Sequence, residues 1–341
     1  MAKTTEKALP FDEALMRLDG TDAPDERALR ALTGMDATQL AQFDKIWRAL
    51  DGDRRAAIAA QLRVLMLEDA ELDFFDIFRN GLADGDARVR DDSVLGLWEL
   101  ESPSLIAPLV KLLRDDPVLA VRASAAKTLG YFMYLNEVER IGKARGSEIY
   151  AALMQVLRHA PEDTPLYQRA LESIGYAGTG DVDFFLRSAL ASDDTHLKLS
   201  AVIGMGRSDN QAYQPLVRAE LQHVSPAVRR EAARAAGELE DVDAVKELGE
   251  LIDDTENDVA EAALEALAQI GGLDAKRLLE STATSADDTL KQKADESLQM
   301  YEMLHGDFDF NVKMFDEDSR TSFHSIKPDA LPAKKKRKTD Q

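Results

Sequence analysis

The chain of 341 residues carries 42 Lys and Arg against 63 Asp and Glu, for a formal net charge of −21. Such a surface repels nucleic acid and anionic membranes wherever no local basic patch overrides it. The sequence contains no cysteine, which removes disulfides, thiolate metal sites and cysteine nucleophiles together.

No apolar run approaches the ~18 residues that cross a bilayer. Met1 to Lys7 lead into acidic sequence without the apolar core of a secretory signal, so a soluble, cytoplasmic protein is expected. Residues 1–52 then hold two amphipathic helical stretches, Phe11 to Leu18 and Gln39 to Leu50, with Phe43 and Trp47 on the apolar side. They read as a helical cap, because the end unit of a stacked array exposes a face that a neighbour would otherwise cover.

From 53 to 306 the sequence repeats itself. Each unit has an apolar residue, a small residue four places on, and an apolar–small pair eight and nine places on. Val121, Ala125 and Leu129-Gly130 set the phase. It returns at Leu166, Leu197, Val228 and Val259, closes at Leu290, and is preceded by Val89 and, more loosely, Ile58. These eight starts are separated by 31, 32, 45, 31, 31, 31 and 31 residues, a period that marks stacked supersecondary units. A second, shorter helical pattern lies between them: Leu105 to Leu113, Glu148 to Leu157, Val182 to Leu190, Tyr213 to Leu221, Ala244 to Ile252 and Ala275 to Thr282. Asp, Asn, Ser and Gly fill the gaps and supply caps and negative charge for helix N-termini. No stretch alternates with period two for long enough to build a sheet. The expected fold is all-α, an α-solenoid of stacked helical hairpins.

The unit resembles the HEAT repeat of armadillo-type superhelices, in particular the short HEAT-like variety of the phycobilisome lyases. The motif stands clearest in Asp84-Gly-Asp-Ala-Arg-Val-Arg90 and Asp116-Pro-Val-Leu-Ala-Val-Arg122. The resemblance implies an Asp–Arg ladder between successive turns, with Asp84, Arg90, Asp116 and Arg122 as its members. The ladder thins toward the C-terminus, where the Arg column becomes Tyr167 and Ala260 in two repeats. The full column is Arg90, Arg122, Tyr167, Lys198, Arg229, Ala260 and Lys291, and pairing of its cations with carboxylates of the inter-repeat turns is the simpler expectation than a ridge for an anionic partner.

Three places are candidates for partner binding. The 45-residue interval carries 14 extra residues around 131–147, where Tyr131, Phe132 and Tyr134 combine with Arg140, Lys143 and Arg145. Insertions in repeat arrays gather on one face, often the binding face, and these residue types recur in hot spots; the alternative is a lengthened helix that buries its aromatics. Phe184 occupies a column that otherwise holds Pro215, Lys246 and Arg277, so it should be exposed, on the groove side lined by the shorter helices. Phe308, Phe310, Val312 and Met314 alternate with polar residues, an extended strip that would dock on the array's own end or on another protein. The rest of 307–341 reads as a tail of low hydrophobicity ending in Lys334-Lys-Lys-Arg-Lys338, which would fold back on the acidic body, touch nucleic acid or act as a nuclear-import signal.

Catalytic chemistry finds no constellation. The five histidines, His159, His196, His223, His305 and His324, are each followed by a residue other than Glu, so the paired His-Glu dipeptides of helical-repeat hydroxylases related to deoxyhypusine hydroxylase are lacking. The acid run Asp253 to Asp258 lacks the spacing and turn glycine of a calcium loop. Gly204, Gly206, Gly271 and Gly272 read as helix C-caps and not as phosphate loops. No cofactor or metal is expected, and no oligomeric state follows. The leading reading is a non-catalytic scaffold that holds another protein or peptide in its groove. A subunit of a bilin-lyase-like enzyme is the alternative the resemblance implies, and a nucleic-acid-binding array is a weaker one that the charge opposes.

Overall fold

The structure, a computed structural model, describes residues 9–306 apart from 21, 99, 179 and 209. Eighteen α-helices and no strand occur among these residues. Three short helices open the chain: α1 (Phe11–Arg17), α2 (Glu26–Arg30) and α3 (Ala37–Trp47), the last started by a capping box of Asp36 and Gln39. Helix α4 (Gly52–Glu68) follows, N-capped by Asp51.

Seven hairpins come next: α5 (Phe75–Gly81) with α6 (Ala87–Gly96), α7 (Ile106–Asp115) with α8 (Leu119–Glu137), and α9 (Lys143–His159) with α10 (Pro165–Ile174). They continue through α11 (Gly180–Leu190) with α12 (Thr195–Gly206), α13 (Gln214–Ala219) with α14 (Pro226–Glu238), α15 (Val245–Leu251) with α16 (Asn257–Ile270), and α17 (Gly272–Thr282) with α18 (Asp288–His305). Asp86, Asp194 and Asp287 cap α6, α12 and α18 through backbone N–H groups of the first turn, and Thr164 caps α10. The Asp-rich gaps of the sequence therefore serve as helix starts.

Each of the eight phase residues, Ile58 to Leu290, falls in one even-numbered helix from α4 to α18. These helices touch one another in an unbroken row, whereas close contact between successive odd-numbered helices is confined to α7–α9 and α15–α17. The even helices thus form the inner, shorter row of a curved two-layer ribbon, and the odd helices the outer row. The small residue at the end of each phase segment explains the tighter inner row. A methyl group on Gly175 would fall 2.1 Å from the carbonyl oxygen of Gly204, and one on Gly206 would fall 2.7 Å from Cβ of Ala235. Gly204 and Gly206 consequently serve close helix packing inside α12, a correction to their reading as C-caps. Gly271 does end α16, at φ +76°, a conformation that favours glycine.

The 14 extra residues lengthen two helices, so that α8 has 19 residues and α9 has 17. Their junction is closed by the N–H of Arg140 donating to the carbonyl of Leu135 at 2.8 Å, with Glu139 left-handed at φ +60°.

The ladder joins repeats, and its geometry explains the six-residue spacing. Arg90 donates through Nε and Nη2 to both carboxylate oxygens of Asp116, at 2.7 and 3.0 Å, and through Nη1 to the carbonyl of Asp84, six residues back, at 2.8 Å. Arg229 repeats the pattern with Asp254 at 2.7 and 2.8 Å and with the carbonyl of His223 at 2.9 Å. The side chain of Asp84 faces the other way, toward Arg55 at 3.0 Å and the indole N–H of Trp47 at 2.9 Å, which ties α3 to the array. Burial pushes the Asp116 carboxyl up, but the bonds from Arg90 and the Val118 N–H outweigh it and hold the group below its ordinary value. Arg122 departs from the pattern: its Nε donates to the carbonyl of Leu113 at 2.9 Å, and it makes no ion pair among the described residues, its charge acting on Asp116 only at longer range.

Candidate binding cleft

The residues singled out in the sequence scatter in the fold. Phe132 is fully enclosed in the core, so it is withdrawn as a partner contact; α8 turns its face at that position into the hairpin. Tyr131 is half-buried and Tyr134 is 41% exposed. Arg140 is engaged with Glu101 by an ion pair and a hydrogen bond of 2.9 Å. Lys143 and Arg145 are exposed at the start of α9 and make no ion pair among the described residues. Phe184 is 69% exposed, but it lies on α11 in the outer row, edge-on to Phe185 at 5.5 Å, and away from the row that forms the cleft below. Its expected position beside the groove is corrected accordingly. Phe308 and Phe310 lie outside the described residues, as does the basic cluster at 334–338.

The inner row holds a cleft of about 360 Å³ where the C-terminal ends of α4 and α6 and the middle of α8 converge with Tyr176 and Arg207, which follow α10 and α12. Met66 and Leu67 come from α4, Trp98 from the turn after α6, and Lys127, Thr128 and Tyr131 from α8. Lys127, Tyr131 and Tyr134 stand four and three residues apart, which places them on one helix face. The aromatic rings form a chain: Tyr131 stacks on Tyr134 at 6.2 Å, Tyr134 meets Tyr176 at 5.7 Å, and the guanidinium of Arg207 covers Tyr176 at 5.7 Å. Trp98 is 48% and Leu67 69% exposed, so large apolar side chains are left in water on neighbouring inner helices.

The polar groups of the cleft are held from behind. Tyr131 donates its hydroxyl to Glu101 at 2.6 Å. Burial, and then this bond, push its phenol up to about 12, so the ring stays neutral and fixed. Arg63 is tethered to Asp92 at 2.8 Å, and Arg207 donates to the carbonyl of Glu172 at 3.0 Å. Lys127 makes no ion pair among the described residues. The Thr128 hydroxyl is buried without a hydrogen-bond partner among the described residues, an arrangement that costs stability.

The sequence singles out Tyr131, which lines this cleft, and Tyr134, which stacks on it, but not Trp98, Leu67, Thr128, Tyr176 or Arg207. These are single residues on successive inner helices, and only the stacking brings them together. The available signal was the last turn of each phase segment, where large apolar or aromatic residues replace polar ones.

A family model described as HEAT repeats matches residues 215–299. That stretch consists of HEAT repeats, and the described residues as a whole form an all-α solenoid. Among solved structures, phycocyanin lyase from Nostoc sp. PCC7120, in its complex of CpcE and CpcF, is 18% identical; the alignment covers 89% of this chain and 97% of that one, with a TM-score of 0.50. An engineered protein is 17% identical over 85% of this chain and 88% of its own, with a TM-score of 0.39. Human deoxyhypusine hydroxylase in complex with glycerol is 16% identical over 86% and 96%, with a TM-score of 0.34. No curated protein matches the chain. The likeness to the lyase is therefore one of fold. Among the described residues, no helix is long and apolar enough to cross a membrane and no group of acids and histidines could hold a metal.

Proposed function

We propose that this HEAT-repeat protein is a non-catalytic scaffold that holds an extended segment of another protein along its inner row, with a large apolar side chain seated in the cleft at Trp98. The cleft itself carries the reading. It offers an apolar floor, fixed aromatic walls and a basic rim at Lys127 and Arg207. Sites of this make-up anchor one or two side chains and leave the rest of an interface to shape. The rim also refines the partner's chemistry, since an apolar anchor next to a carboxylate suits Lys127 and Arg207 better than a basic peptide does.

The test is affinity capture with the full chain and three variants. Trp98→Ser and Leu67→Ser are expected to lose a partner that the unaltered chain and Phe184→Ser retain, by tenfold or more in affinity. A partner retained equally by all four would sink the reading. The fold likeness to phycocyanin lyase supports a second reading, an enzyme subunit acting on a bilin, and transfer of a phycobilin to an acceptor protein in the presence of this chain would favour it over the first.

A further inference from the structure

The ladder column holds five cations, and one of them differs from the rest. Arg90 and Arg229 each grip the Asp of the following repeat through two nitrogens, and Lys198 reaches Glu220 at 3.5 Å. Lys291 stands in the last hairpin, α17–α18. Arg122 has a repeat after it and no ion pair among the described residues.

The cause lies at the end of the next outer helix. Asp116 follows α7 directly, extended at φ −64° and ψ 132°, with its N–H closing the helix onto the carbonyl of Leu112. Ala160 holds the same place after α9, at φ −79° and ψ 148°, with its N–H on the carbonyl of Val156. Where the rung needs a carboxylate, the chain has a methyl group.

The space is not filled by anything else. A cleft of about 220 Å³ remains, lined by both Arg122 and Ala160 and by Arg114, Gln155, His159 and Thr164. Glu162 and Asp163, in the adjoining turn, neither line it nor pair with Arg122 among the described residues. Thr164, which caps α10 through the N–H of Tyr167, closes the cleft on that side. Two guanidinium groups, an imidazole and an amide thus share an otherwise apolar lining that holds no carboxylate among the described residues, in a chain of net charge −21.

We infer that this cleft is an oxyanion site, and that a carboxylate or phosphate group enters between Arg122 and Ala160 as the absent rung. The Arg90–Asp116 pair shows the geometry available to such a ligand, two parallel N–H to oxygen bonds at 2.7 and 3.0 Å. The site is separate from the cleft at Trp98, and it stands whether or not that cleft binds a partner.

The experiment is thermal unfolding of the full chain with inorganic phosphate or succinate, each compared with sodium chloride at equal ionic strength so that general screening is subtracted. Phosphate, succinate or both are expected to raise the Tm of the unaltered chain by about 2 °C or more at saturation. Arg122→Gln is expected to abolish the response. Ala160→Asp supplies the carboxylate in cis, so it should raise the Tm without ligand and remove the response. A response to succinate alone assigns a carboxylate, and one to phosphate alone a phosphate group. No response of the unaltered chain, or an equal response in Arg122→Gln, overturns the inference, and circular dichroism of each variant establishes that it is folded.

Discussion

Thr128 shows how stability and binding meet in one side chain. A threonine inside a helix ordinarily bonds the carbonyl one turn back or faces water, yet the Thr128 hydroxyl is buried in α8 with no partner among the described residues. Replacing it with valine keeps the shape and removes the unpaired hydroxyl. Thr128→Val is expected to stabilise the fold by about 1 kcal/mol in urea unfolding and to weaken partner capture at the same time. Stabilisation with capture unchanged would mean that the hydroxyl has no part in binding. Phe132 teaches the opposite lesson: in the sequence it is indistinguishable from Tyr131 and Tyr134. The face of α8 that each occupies decides their fates, and the helix phase was obscured by the 14 extra residues that follow the repeat pattern there.

At the scale of elements, the ladder couples neighbouring hairpins through charges that are partly shielded from solvent. The Asp116 side chain is 2% and Arg90 11% exposed, so removing one partner leaves the other buried and uncompensated. Asp116→Ala is expected to cost about 3 kcal/mol, several times the loss from an exposed pair such as Arg79–Asp76. Acid acts in the same direction. Arg229 holds the Asp254 carboxyl below its ordinary value, Asp116 lies below its own despite burial, and Arg88 draws Asp86 down to about 2. Groups with depressed folded values contribute stability that is fully present above the ordinary carboxylate range and lost as pH falls through the folded values. Unfolding midpoints measured from pH 5 to pH 2 should therefore decline below about pH 4, and less so in Asp116→Ala, which has already lost one of these carboxylates. The spacing of Asp84, Arg90, Asp116 and Arg122 was legible in the sequence. Which Asp meets which Arg was not, because the rung crosses 26 residues and the six-residue spacing reflects a backbone carbonyl instead.

Across the whole molecule, the period alone sufficed to read the architecture, since each unit buries its apolar stripe only against copies of itself. The inner and outer rows were harder to assign. Both helical patterns are apolar on one face, and in the sequence Gly204 and Gly206, which let the inner row close up, look like helix caps. The net charge of −21 also conceals two local reversals, the rim at Lys127 and Arg207 and the cleft at Arg122, because each gathers basic side chains from several helices. The chain has two tryptophans, and they occupy opposite situations. Trp47 is 8% exposed and bonded to Asp84 where the N-terminal helices meet the array, while Trp98 stands 48% exposed in the cleft. The protein thus carries two optical reporters that separate without labelling. In Trp98→Phe, emission is expected to stay blue-shifted and to move only when the N-terminal helices detach. In Trp47→Phe, the same signal should be red-shifted at rest and should move when the cleft is occupied. One molecule can in this way report its integrity and its occupancy as independent quantities.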